Sequence, residues 1–222
     1  MEKVLKLQIA LFFQNPEQRP DTHYIPLNNE MGNLFDGMPQ IIPLPFEAPH
    51  EIPRVTLRSG NDKYNCNIAA SRVDLVFNEQ GAPEAEWSDI TQDFTAKSAL
   101  FVKSMFGRAG FIRFGLIGSF FVPNKNPAAT IGRKYLKQDM STAEELNIRY
   151  NKRIESHGHS LNNIVSINTA IVALPKEENG IYIERDINNV PSGSPLKHDD
   201  VLALIGKFMP SFSPDQIRGL LK

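Results

Sequence analysis

An apolar residue at every second position recurs along this chain and constrains its fold more than any other feature. Odd-numbered positions from Leu5 to Phe13 are apolar, and Leu146, Ile148 and Tyr150 begin a similar alternation later in the sequence. Successive side chains of a β-strand point to opposite faces, so each segment predicts a strand that buries one face. The chain therefore contains a substantial β-sheet.

Residues 146–154 show the clearest half-exposed strand. In this strand we expect burial of Ile148, Tyr150 and Ile154 and greater exposure of the residues between them, Arg149, Asn151 and Arg153. A hairpin loop over 156–162 and two further strands would complete a three-stranded meander. By contrast, residues 111–122 carry apolar side chains at both parities, which predicts a central strand covered on both faces.

Helix signals separate these strands. Ser88 is a suitable N-cap for a long helix whose apolar face includes Phe94 and Phe101 and which ends at Gly107. Asn126 followed by proline predicts a short helix reaching Lys137. An apolar stripe over 201–208 and a Ser-Pro pair at 213–214 predict two C-terminal helices.

These elements predict one α+β domain over residues 1–222. Its antiparallel or mixed sheet of about six to eight strands would pack against a long central helix, a short helix and two C-terminal helices. Residues 14–54 contain eight of the sixteen prolines, so we expect irregular or edge structure there. This segment is either a loop packed on the surface or an arm that reaches a partner.

Composition narrows the class of protein. The single cysteine, Cys66, excludes an internal disulfide framework and predicts a reducing compartment, and its place on an apolar parity predicts burial. The opening residues lack the apolar region of a signal peptide, and no apolar run is long enough to span a membrane. We therefore expect a cytoplasmic protein with no membrane partner.

An acid-free stretch between Asp93 and Asp139 is the main functional clue. The formal net charge of the chain is −1, yet this stretch contains only basic charges. Clustered cations can make one surface attract anions while the molecule stays near neutral overall. We expect at least five of these eight groups to share one basic face: Lys97, Lys103, Arg108, Arg113, Lys125, Arg133, Lys134 and Lys137.

Three functions follow from these residues. The first is a non-catalytic accessory protein that docks through the basic face of 94–138 onto a larger protein or a protein–nucleic-acid assembly. The second is direct binding of RNA, DNA or a nucleotide by the same region, since lysine and arginine meet phosphate charge. The third is a metal-dependent enzyme that uses His157 and His159, two imidazoles close enough in sequence to share an ion. The sequence holds no nucleotide or cofactor signature, so we expect a protein partner and no cofactor.

Short resemblances accompany these hypotheses. Residues 110–114, Gly-Phe-Ile-Arg-Phe, are similar to the second half of the strand motif of RNA-recognition domains, but residues 107–109 depart from its first half. Residues 107–110, Gly-Arg-Ala-Gly, resemble the backbone-clamping loop of KH domains, although that loop joins two helices. Residues 45–54 resemble the openings of uncharacterised prokaryotic proteins encoded beside phage-defence or mobile genes, which implies an accessory role in such a system.

Overall fold

The structure is a computed structural model that describes residues 3–45, 47–79, 86–172 and 177–222. Nine strands form one sheet in which every neighbouring pair is antiparallel, in the order β2-β3-β4-β5-β1-β6-β9-β8-β7. The strands are β1 Lys3–Phe13, β2 Gln40–Ile41, β3 Pro53–Arg58, β4 Tyr64–Ala69, β5 Arg72–Asn78, β6 Phe111–Pro123, β7 Asn147–Ser156, β8 His159–Val172 and β9 Glu178–Asn189.

Five α-helices accompany the sheet. They are α1 Tyr24–Glu30, α2 Trp87–Phe106, α3 Pro127–Ile131, α4 His198–Phe208 and α5 Pro214–Gly219. A π-helical turn over Gly132–Leu136 extends α3, and 3₁₀ turns at Pro20–His23 and Met209–Phe212 precede α1 and α5. No helix of the described residues is long and apolar enough to cross a membrane.

The core lies between the helices and one face of the sheet. Leu7, Ile9 and Leu11 of β1 are fully buried, together with Phe94 and Phe101 of α2. The inward residues of α4 and α5 belong to the same cluster. All five helices contribute to this cluster, which places them on the same side of the sheet as the odd-numbered side chains of β1.

The α+β class and the antiparallel pairing agree with the sequence analysis, while the sheet is larger than expected. The parity predictions for β7, and for β1 from Leu7 onward, are confirmed: Ile148, Tyr150 and Ile154 pack partly buried against the core, and the arginines and asparagine between them are exposed. Leu5 is the exception, because a register shift between Val4 and Lys6 buries Val4 in its place. The meander is also confirmed, since β9, β8 and β7 are consecutive neighbours in the sheet.

Several local predictions were wrong. α1 forms inside the proline-rich segment, because Pro26 occupies the first turn of the helix, where its missing N–H breaks no helical hydrogen bond. Ser88 is not the N-cap of α2, which begins at Trp87 after an extended Glu86. The hairpin loop expected over 156–162 is only the two residues His157 and Gly158.

β6 is an interior strand buried on both faces, as expected, but helices cover only one of these faces, and Ser119 and Phe121 on the other are 2% and 1% exposed. Its even-numbered Phe114, Leu116 and Phe120 face the helices, whereas Arg113 and Ser119 point to the other side of the sheet. Phe111 belongs to the core despite its odd number, since a register shift between β1 and β6 separates it from the residues that follow. Apolar residues at both parities therefore did not require a second layer of helices.

Candidate functional site

The side of the sheet opposite the helices is polar. Residues directly opposite one another on neighbouring strands point to the same side, so the strand register identifies the members of this surface. We call it the polar face. Its central members are Lys6, Gln8, Ala10, Phe12, Arg72, Asp74, Val76, Arg113, Gly115, Ile117, Ser119, Asn162, Ile164, Ser166, Glu184, Asp186 and Asn188.

A row of paired residues crosses the polar face and shows its character. It runs from β4 to β7 through Asn67, Asp74, Ala10, Gly115, Asn188, Asn162 and Arg153. Ala10 and Gly115 are small and form a floor between Asp74 and Asn188, and the larger side chains around them cover this floor almost completely. The polar side chains therefore pack over the two central strands and present their outer ends to a partner.

Asp74 lies at one border of this floor and is almost completely buried. Gln8 Nε2 donates a 2.9 Å hydrogen bond to Asp74 Oδ1, and Arg72 Nε lies 3.1 Å from Asp74 Oδ2. Burial is the larger influence and raises the pKa of Asp74, while the Arg72 charge opposes the rise. Asp74 is thus a carboxylate held in place by its neighbours.

Asp186 on β9 is the matching acid on the other side of the floor, and it is less well satisfied. Its Oδ1 is buried and makes no hydrogen bond to any residue that the structure describes. Burial raises the pKa of Asp186, and the nearby Asn188 amide and Arg113 charge oppose the rise without cancelling it. The buried Nε of Arg113 also has no hydrogen-bond partner within the described ranges.

An aromatic ring between two arginines completes the polar face. The guanidinium carbon of Arg113 lies 5.0 Å from the centroid of the Phe12 ring, and that of Arg72 lies 5.8 Å from it. Both distances fall in the range of cation–π attraction. Arginine is enriched among the residues that dominate protein interfaces.

The predicted basic residues do not all join this surface. Arg113 alone of the eight belongs to the polar face, whereas Lys97 and Lys103 lie on α2 and Arg108 follows its end. Lys97 lines a hollow that also contains the Lys63–Asp93 ion pair, whose N–O distance is 2.8 Å. The remaining cations surround α3: Lys125, Arg133, Lys134 and Lys137.

Arg108 is also neutralised in the fold. Glu30 at the end of α1 accepts hydrogen bonds from both terminal nitrogens of the Arg108 guanidinium, and Ser104 Oγ accepts another at 3.0 Å. This contact joins residues 78 positions apart in the sequence. The absence of acids between positions 93 and 139 therefore did not predict an absence of acids in space.

The two histidines do not converge on a metal site. His157 is exposed in the β7–β8 turn, where its Nδ1 lies 2.9 Å from Ser156 Oγ. His159 Nε2 instead lies 3.4 Å from Asp200 Oδ2 at the start of α4. Among the described residues, no group of three or more histidine, cysteine or acidic side chains is arranged to hold a metal ion.

Cys66 is fully buried on β4, as its parity predicted. Burial raises the pKa of its thiol, with a smaller contribution from the charge of Asp74. A neutral thiol without solvent access is a packing residue.

Comparison with known proteins identified no relative: no family model matches the chain, and no curated protein matches it. The function of the polar face therefore has to follow from the geometry and chemistry of its residues.

Proposed function

We propose that this chain is a non-catalytic interaction protein that docks a protein partner on the polar face. The observation that carries the proposal is the pair of buried polar atoms, Asp186 Oδ1 and Arg113 Nε, that lack hydrogen-bond partners in the described structure. Buried polar groups in folded proteins are nearly always hydrogen-bonded. Neighbouring side chains cover both atoms, so a docked partner would satisfy them by displacing those side chains.

The mixture of charges on the polar face favours a protein over a nucleic acid. Arg72 and Arg113 are interspersed with Asp74, Glu184 and Asp186 across neighbouring strands. A phosphate backbone needs a surface of uniform positive potential, and carboxylates at the centre would repel it. A protein surface can supply donors to the acids and acceptors to the arginines at once.

Direct binding of a nucleic acid or another phosphate compound is the second candidate, and it belongs to a different surface. Lys125, Arg133 and Lys137 around α3 are exposed and form no ion pair within the described part of the chain, and Lys134 lies beside them half-buried. Of the eight predicted cations, Arg108 alone forms an ion pair among the described residues, and these four are the ones that lie together around α3. The accessory role suggested by residues 45–54 is compatible with either surface.

The test blocks the polar face and asks whether a partner is lost. Ile117 is half-buried at the centre of the polar face, opposite Gln8 and Asp186. Ile117→Arg would place a long charged side chain there, and its alkyl stem would still cover the apolar surface beneath. Tagged protein should be captured from nuclease-treated lysate of the native host, and co-purifying proteins identified by mass spectrometry.

Gln92→Arg is the matched control, because it adds the same side chain at an exposed position of α2 on the helical side. We expect the wild-type protein and Gln92→Arg to retain the same partner and Ile117→Arg to lose it by more than about tenfold, equivalent to roughly 1.4 kcal/mol. Equal recovery by all three proteins would exclude the polar face. Loss of the partner on nuclease treatment would favour the cations around α3.

A further inference from the structure

The two edges of the sheet differ in length and protection. At one end β2 has only two residues, and its pairing with β3 extends one residue further through the hydrogen bond that Ile42 N donates to Arg54 O. At the other end β7 has ten residues, pairs with β8 along its whole length without a register shift, and contains no proline. Short strands, bulges, prolines and charged side chains are the usual protection of a sheet edge, and β7 has only the last of these.

The ladder identifies which backbone groups of β7 point outward. The Thr169 amide donates to Leu146 O at 3.0 Å, so this opposed pair is a hydrogen-bonded one. In an antiparallel ladder such pairs alternate with non-bonded pairs. Even-numbered residues of β7 therefore bond to β8, and odd-numbered residues direct their N–H and C=O groups away from the sheet. The outward set is Asn147, Arg149, Asn151, Arg153 and Glu155, all of them exposed.

Charge indicates what can pair with this edge. Arg149, Lys152 and Arg153 give the middle of β7 a positive charge that Glu155 offsets only in part. A second copy of β7 would bring the same cations against them, which disfavours self-association. An incoming strand with acidic side chains opposite 149–153 would gain both backbone hydrogen bonds and cross-strand ion pairs.

We propose that β7 accepts an extended acidic segment of a partner protein, which adds to the sheet as a tenth strand. The outward backbone groups of β7 supply most of the hydrogen bonds to the added strand. Arg149 and Arg153 select for acidic side chains on that strand. This mode of recognition is strand addition at an open sheet edge. Arg153 also ends the row that crosses the polar face, but the strand would join the sheet at its edge, three strands away from Ile117 on β6.

The experiment separates backbone pairing from side-chain contact. Asn151→Pro removes one outward N–H and leaves the bonds to β8 intact, since proline is tolerated on an edge strand where its nitrogen faces solvent. Asn151→Ala removes the side chain, including its 2.8 Å bond to Asn162, and keeps the amide. The probe is a blocked peptide as long as β7 in which glutamate alternates with threonine and valine; its control carries lysine for glutamate.

Binding is measured by fluorescence anisotropy and by hydrogen exchange of the outward amides. We expect the acidic peptide to slow exchange at Arg149, Asn151 and Arg153 and to bind Asn151→Pro on the order of tenfold more weakly, with little change for Asn151→Ala. Equal affinity for both peptides, or equal affinity of both variants, would overturn the proposal. So would a wild-type dimer in sedimentation that Asn151→Pro dissociates. Ile117→Arg should still bind the peptide, so failure of the polar face would not remove this result.

Discussion

Asp186 gives the polar face a measurable pH signature. Burial raises its pKa above the ordinary value of 3.8, so the folded protein binds this proton more tightly than the unfolded chain does. The stability that this proton contributes is present below the unfolded pKa and is lost as pH rises through the folded pKa. A bound molecule that donates a hydrogen bond to Asp186 would offset this loss.

The first prediction replaces the acid by its isosteric amide. Asp186→Asn removes the titration, so the free energy of unfolding of the variant should rise relative to that of the wild type as pH rises above the ordinary aspartate value of 3.8. The variant should be the more stable protein at neutral pH. Urea unfolding followed by circular dichroism measures both effects. Parallel curves for the two proteins would show that Asp186 is not held in a costly ionised state.

The second prediction tests the packing beneath the opposite side of the sheet. A Cβ atom at Gly118 of β6 would lie 2.5 Å from Phe212 Cδ1 and 2.9 Å from Phe120 Cε2. Both rings belong to the buried core, so Gly118→Ala should destabilise the protein by roughly 1–3 kcal/mol.

Gly206 supplies the control, because a Cβ atom there has no neighbour within 4 Å and the residue lies inside α4. Gly206→Ala should stabilise the protein by up to about 1 kcal/mol through helix propensity. Thermal and urea unfolding of the two variants provide the comparison. If both alanines had the same effect, the close approach of Phe212 to β6 would be wrong.

Strands were predictable from the sequence where one side meets the core and the other meets solvent. β7 meets this condition, and its parity was predicted correctly. The parity of β1 was correct from Leu7 onward, although Ala10 on its other side is buried. β6 does not meet the condition, because the side chains of Ile117 and Phe121 are accommodated on the polar face without a helical layer. Periodicity records which residues share a side, and it does not reveal what covers that side.

Turns and helix starts were less predictable. The β7–β8 connection was expected to be a hairpin loop over 156–162, yet it is a two-residue turn with φ of +50° at His157 and +74° at Gly158. Positive φ at both central residues is the signature of a type I′ hairpin turn, in which Asn-Gly is the preferred pair. His157 therefore occupies a position where asparagine is the better residue.

The third prediction follows from this turn. His157→Asn should stabilise the protein by on the order of 0.5 kcal/mol, because asparagine adopts positive φ more readily than histidine does. His157→Val should destabilise it by about 1 kcal/mol or more, since a β-branched side chain is strained there. Unfolding curves in urea give both values. If asparagine were the more damaging change, His157 would have a role beyond the turn.

The candidate site was not predictable because its residues come from strands far apart in the sequence. Asp74, Arg113 and Asp186 belong to β5, β6 and β9, and only the strand order brings them onto one surface. The acid-free stretch, in contrast, was visible in the sequence, but the fold places its basic residues on different surfaces. Arg108 pairs with Glu30, and Arg113 lies on the other side of the sheet from α2.

The last prediction uses salt to decide between the polar face and the cations around α3. Binding to phosphates releases counterions, so the logarithm of affinity falls against the logarithm of salt concentration with a slope near −0.9 for each phosphate contacted. A partner docked on the polar face meets acids and arginines together, so its binding should weaken by less than about tenfold between roughly 50 and 200 mM salt. Anisotropy titrations with the captured partner give the slope.

Two variants assign that slope to a surface. Replacing Lys134 and Lys137 by alanine should leave it unchanged if the polar face is used, because neither residue belongs to that surface. A steep slope that becomes shallower in this double variant would instead assign binding to the α3 cations and make a nucleic acid the ligand. Because the two surfaces differ in charge composition, the sign and size of the salt effect distinguish them even before the ligand is identified.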